Sequence, residues 1–187
     1  SQTKKLPPPL LYDLTELQRH CNRLYGFSAQ HTLELAQALY ERHKLLSYPR
    51  TDSRHLSTEV AGTLAAVVEA IRAPFQALLA EGTGSQPLSS RFVEDSRVGD
   101  HHAIIPTAAS AAGRSLSDGE QKVYGLVCRR LLQAWHQDFV WAATGPALEA
   151  YSEHPVVKKA NNPGDLMTVP EFLRQVRRIV VDFVVGR

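Results

Sequence analysis

The residues at 47–53 carry the side chains best suited to chemistry in this chain, and they read Ser-Tyr-Pro-Arg-Thr-Asp-Ser. A phenol has an ordinary pKa of about 10, so Tyr48 would need a nearby cation or base to attack at neutral pH. The guanidinium of Arg50, two residues on, could bind a phosphate through two parallel hydrogen bonds and stabilise a phosphoryl-transfer transition state. The spacing therefore indicates either nucleophilic attack on a phosphate or a tight turn in which Arg50 pairs with Asp52 and Tyr48 packs.

Two further polar groups could act together with this segment. His101 opens the sequence His-His-Ala-Ile-Ile-Pro-Thr at 101–107, and Gln37 and Glu41 lie four residues apart on a predicted helix. Residues at that separation share one helix face. Taken alone, each of these groups is more typical of a solvated polar surface than of a functional site.

Together these segments resemble the type IA DNA topoisomerases. Tyr-Pro-Arg-Thr-Asp-Ser is similar to the active-site motif of that family in the form found in its topoisomerase III branch, and the segment 101–107 is similar to a second family motif. The resemblance continues through Leu-Ala-Gln-Ala-Leu-Tyr-Glu at 35–41 and Leu-Pro-Pro-Pro at 6–9. It covers roughly residues 5–150, and two uncommon motifs in the family's order make it specific.

The resemblance implies a role for each candidate residue. Tyr48 would attack one strand of single-stranded DNA and form a 5′-phosphotyrosine, which keeps the bond energy, so rejoining needs no nucleotide cofactor. Arg50 would hold the scissile phosphate, and His101 would bind phosphate or handle a proton. The remaining residues implied to contact DNA are Gln37, Glu41, Thr51 and Asp52.

Magnesium is expected in the intact enzyme but not in this chain. Type IA enzymes carry a Toprim domain in which an early glutamate and an Asp-x-Asp-x-Glu cluster bind Mg²⁺, whereas this chain contains no Asp-x-Asp. No metal ligand or cofactor site is therefore expected here. Because the family places the Toprim domain well before its tyrosine motif, we expect a fragment that cannot complete the reaction alone.

A competing pattern lies at 20–23, where His-Cys-Asn-Arg fits the H-x-x-R box of tyrosine recombinases. In those enzymes further basic residues precede the box, but only a short lysine-containing segment precedes it here. Cys21 belongs to an apolar stripe, so His20 and Arg23 are expected on the polar face of their helix, where they could contact phosphate. A relaxase-type metal site is also disfavoured, because the adjacent histidines of the second motif lack the usual one-residue gap.

The elements that must position these residues are predicted to be helices. Asp13 as N-cap and Gly26 as stop define a first helix, and Ser28 caps a second that runs to about His43. The apolar stripe of the first helix is predicted from spacings of three and four at Leu14, Leu17, Cys21 and Leu24.

Later segments predict further helices and a short strand. A third helix is expected from about Ser57 to Ile71, with a break at Pro74. Ser117 and Glu120 form a capping-box pattern before another helix. The residues 139–144 read as a strand.

The predicted fold is mainly α, a helix-turn-helix or winged-helix (CAP-like) tyrosine domain with a few short β-strands. The expected organisation is an extended lead-in from the arch at 1–10, a helical gate domain at 11–138, a strand returning to the arch at 139–150, and an unmatched tail at 151–187. In the intact enzyme the gate would lift to let another strand pass.

Composition limits the function classes without selecting one. The 187 residues are 43% hydrophobic, the net charge is +2 and the pI is about 8.6, which is only mildly basic for a nucleic-acid partner. Cys21 and Cys128 form no C-x-x-C pair, so neither a zinc ribbon nor a disulfide scaffold is expected. No apolar stretch reaches membrane-span length. The expectation is a bacterial, cytoplasmic, DNA-associated monomer with single-stranded DNA as partner.

Two alternatives from other classes remain open. The chain could be a DNA-binding helix-turn-helix module without chemistry. It could also be a protein-interaction fragment whose β-branched run at 179–185 pairs with a partner strand. Covalent attachment to DNA distinguishes the first alternative from the enzyme, and salt-sensitive DNA binding distinguishes the second.

Overall fold

The structure, a computed structural model, describes the backbone of residues 2–143 and the side chains of residues 5–140. This part is mostly helical with one two-stranded sheet formed by β1 and β2, as the sequence predicts. The elements in chain order are β1 (Gln2–Leu6), α1 (Leu14–Tyr25), α2 (Ala29–Glu41), α3 (Thr58–Ala61), α4 (Leu64–Ile71), 3₁₀ turns at Ala73–Leu78 and Asp95–Arg97, α5 (Asp118–Gln133) and β2 (Phe139–Ala143).

The first two helices begin and end where local signals place them. The Asp13 side chain accepts a hydrogen bond from the Glu16 backbone N–H, and Ser28 accepts one from the backbone of His31. Gly26 ends α1 with a φ of 69°, a left-handed conformation that glycine adopts without steric cost. Each cap satisfies backbone groups that the helix itself leaves unpaired.

The buried face of α1 differs from the predicted stripe. Its buried residues are Leu17, His20 and Cys21, whereas Leu24 is 49% exposed. The placement of His20 on the polar face was therefore wrong, as was the inclusion of Leu24 in the core. The reason is tertiary, because Tyr12 packs beside His20 and turns the buried face toward that position.

The predicted third helix is divided in two. Ser57 caps α3 by accepting a hydrogen bond from the Val60 backbone, but the helix stops at Gly62 and resumes as α4. The Gly62 N–H bonds to carbonyls of the preceding turn, and the Thr63 hydroxyl donates to the Val60 carbonyl at 2.8 Å. These tight bonds end the first segment, and the predicted break near Pro74 occurs as a 3₁₀ turn.

Helix α5 lies between two hydrophobic clusters. Its capping box forms as predicted, with Ser117 and Glu120 each bonding the other's backbone. Cys128 and Leu131 pack with α4, while Val123 and Val127 pack with α1 and α2. The same two clusters also take the apolar residues that flank both sequence motifs: Leu46 and Ile104 in one, Leu56 and Ile105 in the other.

Contacts divide the chain into two compact units, one formed by Lys5–Trp141 and one by Ser1–Lys4 together with Ala142–Arg187. All candidate site residues belong to the first unit. The predicted tail at 151–187, its β-branched run and the end of the strand predicted to reach 150 lie outside the described residues. In the described part, no helix has the length and apolar character that a membrane span requires.

Candidate active site

The two sequence motifs lie side by side. We call residues 47–53 the motif loop and residues 101–107 the histidine segment. The Ser47 N–H donates to the Ile105 carbonyl at 2.9 Å, and the Ile105 N–H donates to the Ser47 hydroxyl oxygen at 2.9 Å. These bonds join segments that are roughly fifty residues apart in sequence. The histidine segment thereby forms one wall of a site whose other wall is the motif loop.

Tyr48 lies between two aromatic rings. Its ring centroid is 4.2 Å from that of His101, with the planes tilted by 38°, and 5.5 Å from that of Tyr40 in an edge-to-face arrangement. Tyr48 is half-buried and His101 is exposed, so the phenol stands at the surface beside the imidazole. The ring contacts fix the direction of the side chain, and the described residues offer its hydroxyl no hydrogen bond.

Arg50 is exposed and connects the motif loop to α2. Its Nη2 donates to Gln37 Oε1 at 3.3 Å, and Gln37 Nε2 donates to Glu41 Oε1 at 3.0 Å. Arginine has five N–H donors, and this single long hydrogen bond leaves the others open to an anion. Three of the predicted site residues are therefore linked in one chain of side chains.

An open hollow of about 350 Å³ lies on the same face of α2. Two of its lining residues are glutamates, and the guanidinium of its arginine is already bonded to Glu120, so the lining does not favour a phosphate. Its lining residues are Glu34, Gln37, Ala38, Glu41 and Arg42.

Thr51 is buried, with 7% of its surface exposed, and it ties the motif loop to its neighbours. Its hydroxyl donates to the His101 carbonyl at 3.2 Å and accepts from the Ser53 N–H at 3.1 Å. Its carbonyl accepts from the N–H of Leu14 at the start of α1. These contacts hold the backbone of His101 next to the loop, and a direct DNA contact by Thr51 stays a prediction.

Asp52 is exposed and forms no ion pair or hydrogen bond within the described residues. The surface pair between Arg50 and Asp52, which would characterise an ordinary turn, is therefore not formed. Arg50 turns to Gln37 instead.

His20 lies in the interior, away from any phosphate. Its Nδ1 contacts the Tyr12 hydroxyl and lies 3.4 Å from Nη2 of Arg130, whose guanidinium stacks 3.9 Å from the Tyr12 ring centroid. Burial lowers the pKa of His20 to about 3, and the positive charge of Arg130 adds to the effect. The imidazole is thus neutral at physiological pH and serves packing, which removes the structural basis of the recombinase-like reading.

Sequence reasoning missed two residues near the site. Tyr40, one residue before Glu41 in the matched segment 35–41, packs against Tyr48, and only the tertiary fold reveals that contact. Arg54 follows the motif loop and donates from Nε to the Leu11 carbonyl at 2.9 Å. This bond connects the segment before α1 to the end of the motif loop.

Among the side chains that the structure describes, no group of three or more His, Cys, Asp or Glu is placed to hold a metal ion.

Comparisons with known proteins agree on one family. A family model described as DNA topoisomerase matches residues 1–162. The chain is 45% identical to DNA topoisomerase 3 of Shouchella clausii (strain KSM-K16) over 135 residues, which is 71% of this chain and 18% of that protein. It is 43% identical to DNA topoisomerase 3 of Bacillus subtilis (strain 168) over 143 residues, covering 75% of this chain and 20% of the relative.

A solved structure resembles the chain as well. Full-length topoisomerase I from Thermotoga maritima matches with a TM-score of 0.50 and 26% sequence identity, over 74% of this chain and 22% of that one. Sequence and fold similarity thus cover about the same share of the chain, and the relatives are several times longer than the stretch they share with it.

Proposed function

The chain belongs to the type IA DNA topoisomerases and is topoisomerase III-like, and from this membership we propose that Tyr48 is the nucleophile that cleaves and rejoins one DNA strand. The observation that carries the proposal is the placement of the Tyr48 ring 4.2 Å from that of His101, with Arg50 two residues along the same loop. A phenol, an imidazole and a guanidinium at one surface are the groups that phosphoryl transfer to tyrosine requires.

The proposed reaction exchanges one phosphodiester for another. The Tyr48 oxygen attacks the scissile phosphorus and loses its proton, the bond from phosphorus to the 3′ oxygen breaks, and that oxygen takes up a proton to leave as a 3′-hydroxyl. The product is a 5′-phosphotyrosine. Attack of the 3′-hydroxyl on this ester reverses the step, so the energy of the broken bond is conserved and no nucleotide is consumed.

Each neighbouring residue has a proposed part in that reaction. Arg50 stabilises the charge that builds on the phosphate oxygens, and the exposed imidazole of His101 binds phosphate or accepts the phenolic proton. Gln37 and Glu41 orient the guanidinium of Arg50 through their hydrogen-bond chain. The residues proposed to contact or order the strand next to them are Thr51 and Asp52.

We propose that the intact enzyme uses Mg²⁺ bound by a Toprim domain that this chain does not contain. The described residues offer no set of ligands for it, and none of the steps given above for this chain uses a metal. The chain spans 18–20% of the length of the relatives it matches, so changing DNA topology is proposed for the whole protein only. The winged-helix (CAP-like) gate, a cytoplasmic location in a bacterium and a monomeric state belong to the same proposal.

A denaturing gel with labelled single-stranded DNA tests the nucleophile. The chain would be incubated with DNA and magnesium, with and without a separately prepared Toprim-containing half of a related enzyme. We expect a covalent protein–DNA band that depends on the added half. Tyr48→Phe should abolish the band while leaving DNA affinity nearly unchanged, because the substitution removes one hydroxyl that no described residue bonds.

The outcomes of this experiment distinguish a strand-cleaving enzyme from a DNA-binding module without chemistry. A band that persists in Tyr48→Phe would assign the nucleophile elsewhere. DNA binding without any band under either condition would instead support a silent DNA-binding module. Loss of binding in Tyr48→Phe would show that the hydroxyl serves recognition and would undercut its role as nucleophile.

A further inference from the structure

A second cationic residue, Arg97, lies on a segment that two side-chain hydrogen bonds hold against the motif loop. The Thr51 hydroxyl donates to the His101 carbonyl at 3.2 Å, and the Ser53 hydroxyl donates to the Arg97 carbonyl at 2.9 Å. As the motif loop runs forward from 51 to 53, the facing segment runs backward from 101 to 97. Arg97 therefore flanks the downstream end of the loop, on the side away from Tyr48.

The guanidinium of Arg97 is exposed and makes no hydrogen bond or ion pair within the described residues. Its two basic neighbours are already engaged, since Arg54 binds the Leu11 carbonyl and Arg91 binds the Pro8 carbonyl at 3.1 Å. Burial lowers the pKa of His55, and the charge of Arg97 is the largest of the charge effects that add to this. The Arg97 backbone meets His55 through Ser53, whose hydroxyl lies 2.9 Å from the Arg97 carbonyl and 3.3 Å from the His55 carbonyl.

The acidic residues next to Arg97 are occupied. Asp95 accepts hydrogen bonds from the N–H of Thr58 at 2.9 Å and from its hydroxyl at 2.6 Å, and Glu94 accepts from Ser96 at 2.8 Å. Asp100, three residues after Arg97, is exposed and forms no ion pair with it within the described residues. Among the side chains that the structure describes, Arg97 consequently has no partner, and it lies at the edge of the candidate active site.

We infer that Arg97 is a second phosphate-binding residue, which holds a phosphodiester of the bound single strand other than the scissile one. This inference rests on the proposed function of Tyr48 and Arg50 as the cleavage site. Ser53 lies five positions after Tyr48, a span of at most about 17 Å for an extended chain. That reach suits a neighbouring phosphate on the same strand and leaves the scissile phosphate to Arg50.

The test measures affinity against salt. Fluorescence anisotropy would give the Kd of the full chain for a labelled oligothymidylate, in a Tyr48→Phe background that prevents covalent attachment. Loss of one phosphate contact lowers the slope of log K against log salt by about 0.7 for a single strand. We therefore expect Arg97→Gln to lower the slope by about 0.7 and to weaken binding by about tenfold at 50 mM salt, and Arg97→Lys to retain most of both.

The matched control is Arg72→Gln, which removes the same charge from an arginine whose guanidinium is already bonded to Glu69 at 3.2 Å and Gln76 at 3.1 Å. It should leave the slope unchanged. In the Tyr48 protein supplied with the Toprim-containing half, Arg97→Gln should raise the DNA concentration that gives half-maximal cleavage by about the factor by which it raises Kd, whereas Arg72→Gln should leave cleavage unchanged.

The inference would be overturned if Arg97→Gln and Arg72→Gln gave equal slopes of log K against log salt. It would also be overturned if Arg97→Gln abolished cleavage at saturating DNA while leaving that slope unchanged. A chain that binds no single strand would overturn it as well. A lowered slope in a chain that forms no adduct would sustain the phosphate contact and reject only the proposed nucleophile, so the two failures are distinguishable.

Discussion

A tyrosine hydroxyl is a weak nucleophile at neutral pH, so the groups around Tyr48 decide whether it can attack a phosphate. The nearest ring is the imidazole of His101, with a centroid distance of 4.2 Å, and Arg50 is two residues away on the same loop. Tyr40 packs edge-to-face on Tyr48 and restricts its motion. Under the proposed function, this arrangement presents the phenol to a phosphate that the exposed guanidinium of Arg50 would bind.

Arg50 is expected to contribute mainly to the rate of cleavage. Removing one group that stabilises transition-state charge typically costs about 100-fold to 1,000-fold in rate. Arg50→Ala should therefore slow adduct formation by about that factor at saturating DNA, while Arg50→Lys restores part of the rate. Arg19→Ala, which removes an exposed arginine paired with Glu16 on α1, is the control. A cleavage time course that is unchanged in Arg50→Ala would disprove the phosphate-binding role.

Thr51 is expected to contribute mainly to stability and to the position of His101. Thr51→Val removes the hydroxyl that binds the His101 carbonyl and leaves the buried N–H of Ser53 without its acceptor. Such a loss costs about 1–3 kcal/mol in the free energy of unfolding. Urea unfolding should show that destabilisation for Thr51→Val and much less for Thr51→Ser. Equal midpoints for the valine variant and the unaltered chain would refute the structural role.

The position of α2, which carries Gln37 and Glu41, depends on its attachment to α5. The buried carboxylate of Glu120 in the first turn of α5 accepts hydrogen bonds from Arg42 at 2.5 Å and His43 at 3.2 Å, at the end of α2. Burial alone would raise the pKa of Glu120, but hydrogen bonds from the Ser117 backbone and from Arg42 outweigh it and lower the pKa to about 2.

This ion pair predicts a pH dependence with a definite sign. A carboxyl whose pKa is lower in the folded state contributes stability above its unfolded pKa, and that contribution is lost as the pH falls through the folded pKa. Glu120→Gln should therefore be less stable than the unaltered chain at pH 7, and the difference should shrink between about pH 4.5 and pH 2. Urea midpoints across that range measure the effect. A difference that stayed constant down to pH 2 would contradict the lowered pKa.

Local signals in the sequence predicted the helices well, and longer-range packing explains what they did not predict. The caps at Asp13, Ser28 and Ser117 act within a few residues, so the chain alone reveals them. His20 shares a helix face with Leu17 and Cys21, but its burial reflects packing against Tyr12 and against Arg130, which is 110 residues away, and its polar residue type gave no sign of this. The division of the third helix reflects hydrogen bonds of the turn at 62–63 that compete with helix continuation.

The candidate site was predicted from its motifs, while its geometry was not. The family resemblance identified Tyr48, Arg50 and His101, but only the packing of the motif loop against the histidine segment brings the first and last together. Tyr40 was not predicted as a site residue, because its contact with Tyr48 joins α2 to the motif loop and depends on the tertiary fold. The roles of Gln37, Glu41, Thr51 and Asp52 in DNA binding stay predictions.

At the scale of the whole molecule, one chain carries every candidate site residue within the compact unit Lys5–Trp141. A single copy should therefore bind one DNA strand without a second copy completing its site. Sedimentation analysis should give a mass near 20.7 kDa for the free protein and a one-to-one complex with a short oligothymidylate. A stable dimer that dissociates with loss of DNA affinity would contradict this expectation.

The most direct test of the central claim is to locate the covalent bond. The protein–DNA adduct formed with the Toprim-containing half would be digested with protease and nuclease, and the peptides sequenced by mass spectrometry. We predict a nucleotide linked through its 5′ phosphate to Tyr48 and to no other residue, with the same attachment in Tyr40→Phe. Attachment to Tyr40, or to any residue outside the motif loop, would contradict the account.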